Sequence, residues 1–168
     1  MRGPAPRSVR HNRRVTITRA DFADPRLAAF LQDHLDDMEP TAPPESRHAL
    51  DLSGLQAAHV RMWVTTDDHG IVGTAALAGL DDMHEELKSM RTAPRVRGTG
   101  VATRMLAHVL DDARRRGVRR VSLETGSMAF FEPARRFYAG AGFAPCGPFG
   151  TYVDDPHSTF MTLDLGPG

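Results

Sequence analysis

Residues 97–102 read Arg-Gly-Thr-Gly-Val-Ala, and the hydrophobic period of the chain changes just after them. From there Val101, Met105, Val109 and Ala113 fall four apart, as do Ala102, Leu106 and Leu110. That spacing predicts a helix with one broad apolar face, closed by Gly117. Upstream, residues 85–92 (Glu-Glu-Leu-Lys-Ser-Met-Arg-Thr) read as a strand. The two glycines therefore join a strand to a long helix. They let the backbone turn tightly and let a ligand approach the main chain. The helix leaves its first amide hydrogens unpaired and carries partial positive charge at that end. Arg97, Gly98, Thr99, Gly100, Val101 and Ala102 together make a candidate pyrophosphate cradle, to which Arg97 adds a fixed charge. A nucleoside triphosphate loop would need Gly-Lys-Ser/Thr at its helix start, which is absent. A dinucleotide fingerprint wants a third glycine where Thr103 stands, although Glu124 comes near the spacing of its acidic partner.

On the N-terminal side, residues 15–18 alternate apolar and polar, as a first strand would. Asp24 and Pro25 supply an N-cap and a proline at the first helical position. Leu27, Phe30, Leu31, His34 and Leu35 follow at helical spacing, so a helix is expected to end near Met38. The segment 39–46 (Glu-Pro-Thr-Ala-Pro-Pro-Glu-Ser) is a proline-rich loop, a surface feature suited to ligand contacts. A short helical turn is expected over 48–56. Residues 59–66 and 71–78 form a hairpin about Asp67-Asp68-His69-Gly70. Beyond the long helix, 119–124 reads as a strand and 131–140 as a helix with Pro133 near its start. Gly142-Phe143 then turns the chain into a last strand, with 158–165 beside it. Antiparallel strands come first and a strand–helix–strand–helix unit follows, so the fold class is α+β around a mixed sheet.

The 168 residues suit one domain at the usual ~100–200 per domain. We expect that domain to span 14–168, behind a disordered arginine-rich leader over 1–13. Residues 1–20 carry six arginines and no acid, which would also suit a nucleic-acid arm or a transit segment. The whole chain is balanced, with 21 basic and 21 acidic residues. That argues against a nucleic-acid partner or a membrane partner engaged through the general surface. Twenty of the basic residues are arginine and Lys88 is the only lysine, a bias we attribute to codon usage. The single cysteine, Cys146, excludes an internal disulfide and a multi-cysteine zinc site, and reads as buried and inert. The eight histidines show no ligand spacing, so no metal is expected. No apolar stretch approaches a membrane span and no apolar signal core follows the basic N-terminus, which reads as a cytoplasmic protein.

Arg97-x-x-Gly100-x-Ala102 resembles the coenzyme A loop of the GNAT superfamily of acetyl-CoA-dependent N-acetyltransferases. The upstream run 86–94 (Glu-Leu-Lys-Ser-Met-Arg-Thr-Ala-Pro) is similar too, as is Ala134-Arg135-Arg136-Phe137-Tyr138 followed by Gly142-Phe143. Three motifs in order specify a family far better than one glycine loop does. A bacterial small-molecule acetyltransferase subgroup shares Pro-Pro-Glu-Ser at 43–46, Lys-Ser-Met-Arg-Thr at 88–92 and Phe131-Glu132-Pro133-Ala134-Arg135. The resemblance covers about residues 14–165. It implies a GNAT-type mixed, mostly antiparallel central sheet flanked by helices, with acetyl-CoA as cosubstrate.

The chemistry is demanding. A primary ammonium has a pKa near ~10, so the nucleophile must lose a proton to a base at neutral pH. The leaving thiolate, with a pKa near ~8.5, profits from an acid, and the developing oxyanion from a backbone donor. The resemblance implies Tyr138 as the acid and Glu86 as the base, with His84 and Glu124 as rivals for the second role. It implies main-chain contacts from Met90 and Thr92 to the pantetheine arm, and an amide near Met90 or Arg91 on the thioester carbonyl. It places the acceptor against the first helix, the 39–48 loop (Glu45, Arg47 and His48) and the stretch 149–157. One departure is plain: Phe131 stands where many members carry asparagine, so a hydrogen bond there is lost or replaced by apolar packing. The expected activity is direct acetyl transfer to a primary amine of a small molecule or amino acid. Alternatives are a protein lysine or N-terminal acetyltransferase, a non-catalytic acyl-CoA-binding module, and a nucleic-acid binder through the arginine arm. Open sheet edges would allow a homodimer.

Overall fold

The computed structural model describes residues 14–38, 40, 43 and 51–167. The arginine-rich leader, and Glu45, Arg47 and His48 of the proline-rich loop, lie outside the described residues.

Strand β1 (Thr16–Arg19) is followed by helix α1 (Pro25–Met38). As expected, Asp24 starts α1: its carboxylate accepts the Arg26 amide at 2.9 Å. Helix α2 is one short turn (Leu52–Leu55), capped by Asp51, whose side chain accepts from the Gly54 amide. Strands β2 (Val60–Asp67) and β3 (Gly70–Asp81) form the hairpin read from the sequence, and Gly70 takes the positive φ of its turn at 116°. Strand β4 (His84–Thr92), helix α3 (Val101–Arg115), strand β5 (Arg120–Gly126), helix α4 (Glu132–Gly140), and strands β6 (Ala144–Cys146) and β7 (Ser158–Asp164) complete the order.

All seven strands form one sheet, ordered β1-β2-β3-β4-β5-β7-β6. Every neighbouring pair is antiparallel except β4 and β5. This is the α+β mixed sheet expected from the sequence. Alternation along the strands builds two cores on its two faces. Trp63, Ala75, Leu77 and Leu87 pack with Met105, Leu106, Val109 and Leu110 of α3, and with Tyr138 and Phe143. Met62, Val64, Ala76 and Ala78 pack on the opposite side with Leu27 and Leu31 of α1 and Leu55 of α2.

The one parallel pair is short. His84–Leu87 lie in register with Arg120–Leu123, and there the pairing stops. Beyond it β4 stays with β3, while β5 stays with β7 out to Gly126. The parting coincides with a bulge: the β3–β4 register slips between Thr74 and Ala76, and Ser89 has φ 51°. A bulge adds a residue to one strand and bends it. Here the Thr74 hydroxyl donates to the Ser89 carbonyl at 2.8 Å and fixes the irregularity. The bulge also shifts the face parity of β4. Leu87 and Met90, three apart, both belong to the α3-side core, so Lys88 and Arg91 share the α1 side.

Glu85 lies on the α3 side and is buried, where it accepts two bonds from the Arg116 guanidinium at 2.5 and 2.7 Å. The pair raises the Arg116 pKa. Arg116→Ala would strand that carboxylate. Because Arg116 is partly exposed, we expect a loss of about 2–3 kcal/mol, at or below the ~3–5 kcal/mol of a fully buried pair. Urea unfolding monitored at Trp63 measures it; an unchanged midpoint would show that water satisfies Glu85 equally well.

Candidate active site

The gap between β4 and β5 is a cleft of about 580 Å³ that reaches both faces of the sheet. On the α3–α4 side its walls include Thr92, Arg97, Gly98, Ala102, Phe131, Ala134, Phe137 and Tyr138. On the α1 side they include His34, Asp37, Glu86, Lys88 and Arg91, and His157 closes the far wall.

The glycine loop lies at the α3 end. A short 3-10 turn (Pro94–Val96) leads into it, and Gly98 and Gly100 take φ 74° and 87°. A Cβ at either would meet no atom within 4 Å, so glycine is needed there for backbone conformation. Gly100 is the N-cap of α3 and, without a side chain, caps none of the first amides of the helix. Arg97, Gly98 and Ala102 line the cleft. Thr99 and Val101 serve the loop itself: the Thr99 hydroxyl donates to the Val96 carbonyl at 2.5 Å, and Val101 packs with Val72 and Val96.

Tyr138 is 8% exposed, on the inner face of α4. Its ring packs against Phe143 at 5.7 Å between centroids and against Phe137 at 5.4 Å. Among the described residues its hydroxyl has no hydrogen-bond partner, and burial raises its pKa. Tyr138 thus packs in the α3-side core and also lines the cleft. Phe131 closes over Gly126, where a Cβ would overlap its ring. This is the apolar packing offered above as the replacement for asparagine. Arg135 secures the turn beneath, donating to the carbonyls of Gly126 at 2.6 Å and Met128 at 3.0 Å.

On the α1 side, Glu86 is 7% exposed. Its Oε1 accepts from Tyr152 Oη at 2.5 Å and from Lys88 Nζ at 3.0 Å. Lys88 Nζ also lies 3.0 Å from Tyr152 Oη, which closes a three-membered cluster. Burial, then the Glu86 charge, push the Tyr152 pKa up. His34 is largely buried beside Arg91, and burial first, then that charge, lower its pKa to about 4, so its imidazole is neutral at pH 7.

The rival bases are placed differently. His84 is on the same strand face as Glu86, but Nε2 sits 2.7 Å from Ser122 Oγ, its ring lies against Phe149, and it does not line the cleft. Glu124 does line it. Cys146 is half-buried on edge strand β6 rather than buried, and desolvation raises its thiol pKa. Lys88, Arg91, His34 and Tyr152 had no assigned side-chain role in the sequence reading. The only available signal was Lys88, a lone lysine among twenty arginines. Among the described residues no three His, Cys, Asp or Glu side chains are grouped to hold a metal ion, and no helix is long and apolar enough to cross a membrane.

A model of the acetyltransferase (GNAT) family matches residues 27–143. The chain is 43% identical over 145 residues to the uncharacterized N-acetyltransferase YsnE of Bacillus subtilis (strain 168), covering 86% of this chain and 96% of that protein. It is also 43% identical over 150 residues to the uncharacterized N-acetyltransferase YedL of Escherichia coli (strain K12), covering 89% of this chain and 94% of that protein. Among solved structures, an aminoglycoside 6'-N-acetyltransferase complexed with coenzyme A superposes with a TM-score of 0.67. The match spans 91% of this chain and 98% of that one at 16% identity, which is a likeness of fold.

Proposed function

The chain belongs to the acetyltransferase (GNAT) family, and from that premise we propose that it transfers acetyl directly from acetyl-CoA to the primary amine of a small molecule or amino acid. The observation that carries this reading is the cleft at the β4–β5 split, which joins an uncapped helix N-terminus on one face to a buried carboxylate on the other. Family membership and the coenzyme A held by the aminoglycoside acetyltransferase of like fold support the cosubstrate. The open glycine loop fits that group: Gly98 and Gly100 leave room on the main chain, and Arg97 adds charge.

Acetyl-CoA supplies the activated acetyl thioester. Arg97 and the amides of 98–102 hold its pyrophosphate. The main chain of Met90 and Thr92 would bind the pantetheine arm, and an amide near Met90 or Arg91 would stabilise the developing oxyanion. Glu86 takes the proton of the acceptor ammonium, directly or through a water. The neutral amine nitrogen attacks the thioester carbonyl, the C–N bond forms as the C–S bond breaks, and Tyr138 Oη, kept protonated by burial, gives its proton to the departing sulfur and recovers one from the acylated nitrogen. Glu45 and His48 are proposed acceptor contacts on the resemblance alone.

Calorimetric titration with acetyl-CoA, beside free CoA and NAD, tests the cosubstrate. We expect micromolar acetyl-CoA binding and no response to NAD. An amine screen read by CoA-thiol release then tests transfer. Binding without transfer to any amine would point to the acyl-CoA-binding module. Transfer confined to peptide lysines or N-termini would point to a protein acetyltransferase.

A further inference from the structure

We propose that the α1-side end of the cleft is a carboxylate site: the acceptor is an amine that also carries a carboxylate, and Arg91 receives that carboxylate. The proposal rests on the reading of the cleft as an acetyl-transfer site and names the class of its acceptor. Because of the bulge at Ser89, Lys88 and Arg91 both line this end, with side chains only 11% and 10% exposed. The two cations are used differently. Lys88 is bound by Glu86 on its own strand and by Tyr152 from the β6–β7 connection. Arg91 lies over the Phe30 ring, 5.5 Å from its centroid, and pairs through Nη2 with Asp37 Oδ2 at 2.8 Å.

That pairing is incomplete. Arg91 Nε is buried and has no hydrogen-bond partner among the described residues. A guanidinium offers a two-pronged edge to a carboxylate, and a buried N–H left without an acceptor is unfavourable. Asp37 meets one prong only, and its side chain is 54% exposed at the end of α1. It can return to water at little cost. Near a helix C-terminus an aspartate is also unfavourable with the helix dipole. A free carboxylate that replaced Asp37 and met both prongs would satisfy Arg91 better than Asp37 does. Glu86, on the same face, would then lie on the side of the acceptor's amine. His34, neutral at pH 7, adds no positive charge of its own at this end.

The test uses the full chain with acetyl-CoA. Acceptors are the L-amino acids, β-alanine and γ-aminobutyrate, each beside the matched amine lacking its carboxylate, with CoA-thiol release and product mass as readouts. We expect kcat/KM to favour a carboxylated acceptor by about 30-fold or more over its matched amine. Arg91→Gln should raise KM for that acceptor by about 30-fold with acetyl-CoA affinity unchanged. Asp37→Ala should lower the same KM, because it removes the internal competitor, whereas a cation-binding role for Asp37 would raise it. Asp37→Ala also decides the matter if Arg91→Gln fails to fold. Equal use of amines without a carboxylate, turnover of neither set, or a raised KM in Asp37→Ala would overturn the proposal. In the first of these cases the acetyltransferase reading stands alone. A chain that does not bind acetyl-CoA overturns both.

Discussion

Tyr138→Phe is expected to lower kcat by about 100-fold or more while acetyl-CoA affinity stays within about twofold. The substitution removes one oxygen from a ring that is otherwise fully engaged in packing against Phe137 and Phe143. The hydroxyl makes no hydrogen bond to any described residue, so its loss leaves no partner unsatisfied and the fold should be untouched. What disappears is the proton for the leaving sulfur. Burial raises the Tyr138 pKa above the ordinary phenol value near ~10, so the acid form persists through neutral and moderately alkaline pH. An alkaline decline in kcat below pH ~10 would therefore have to come from another group. Steady-state kinetics beside calorimetry on the same preparation measures both quantities. A kcat within about threefold of the parent would remove Tyr138 from the proposed chemistry.

Glu86→Gln should have an effect of the same order, a loss of about 100-fold in kcat/KM near pH 7. Glutamine retains the shape, and an oxygen that can accept from Tyr152 and Lys88, so the variant isolates basicity from packing. His84→Ala is the control. Its ring is held against Ser122 and Phe149, away from the cleft, and the loss should stay within about threefold. If His84→Ala proved the more damaging of the two, the base assignment would reverse. Glu124→Gln completes the comparison, since Glu124 is the other rival carboxylate and does line the cleft.

Element boundaries were legible because apolar period and turn residues act locally. The hairpin expected over 59–66 and 71–78 is Val60–Asp67 with Gly70–Asp81, and the strand expected over 85–92 is His84–Thr92. Long-range pairing was less legible. Nothing in the three residues of β6 shows that β7 lies between it and β5. The bulge at Ser89 gave no signal either, because serine is not a residue that advertises positive φ. A strand alternating regularly over 85–92 would put Arg91 with Leu87 on the α3 side. The cluster of Glu86 with Tyr152 joins positions 66 apart, beyond the reach of any periodicity. The glycine loop stood out from its own residues, and Met90, Thr92, Glu86 and Tyr138 by resemblance; these four line one cleft with Arg97, Gly98 and Ala102, whereas Thr99, Gly100 and Val101 do not line it.

The split sheet has a consequence for how such a protein can diversify. The walls that would meet the cosubstrate come from the α3–α4 face, whereas Lys88, Arg91, His34 and Asp37 come from the α1 face. A substitution at Arg91 or Asp37 would therefore alter the proposed acceptor end without touching the glycine loop or Tyr138. Acceptor preference can drift while the donor half stays constant, so chains that share the Arg-x-x-Gly-x-Ala loop need share no acceptor.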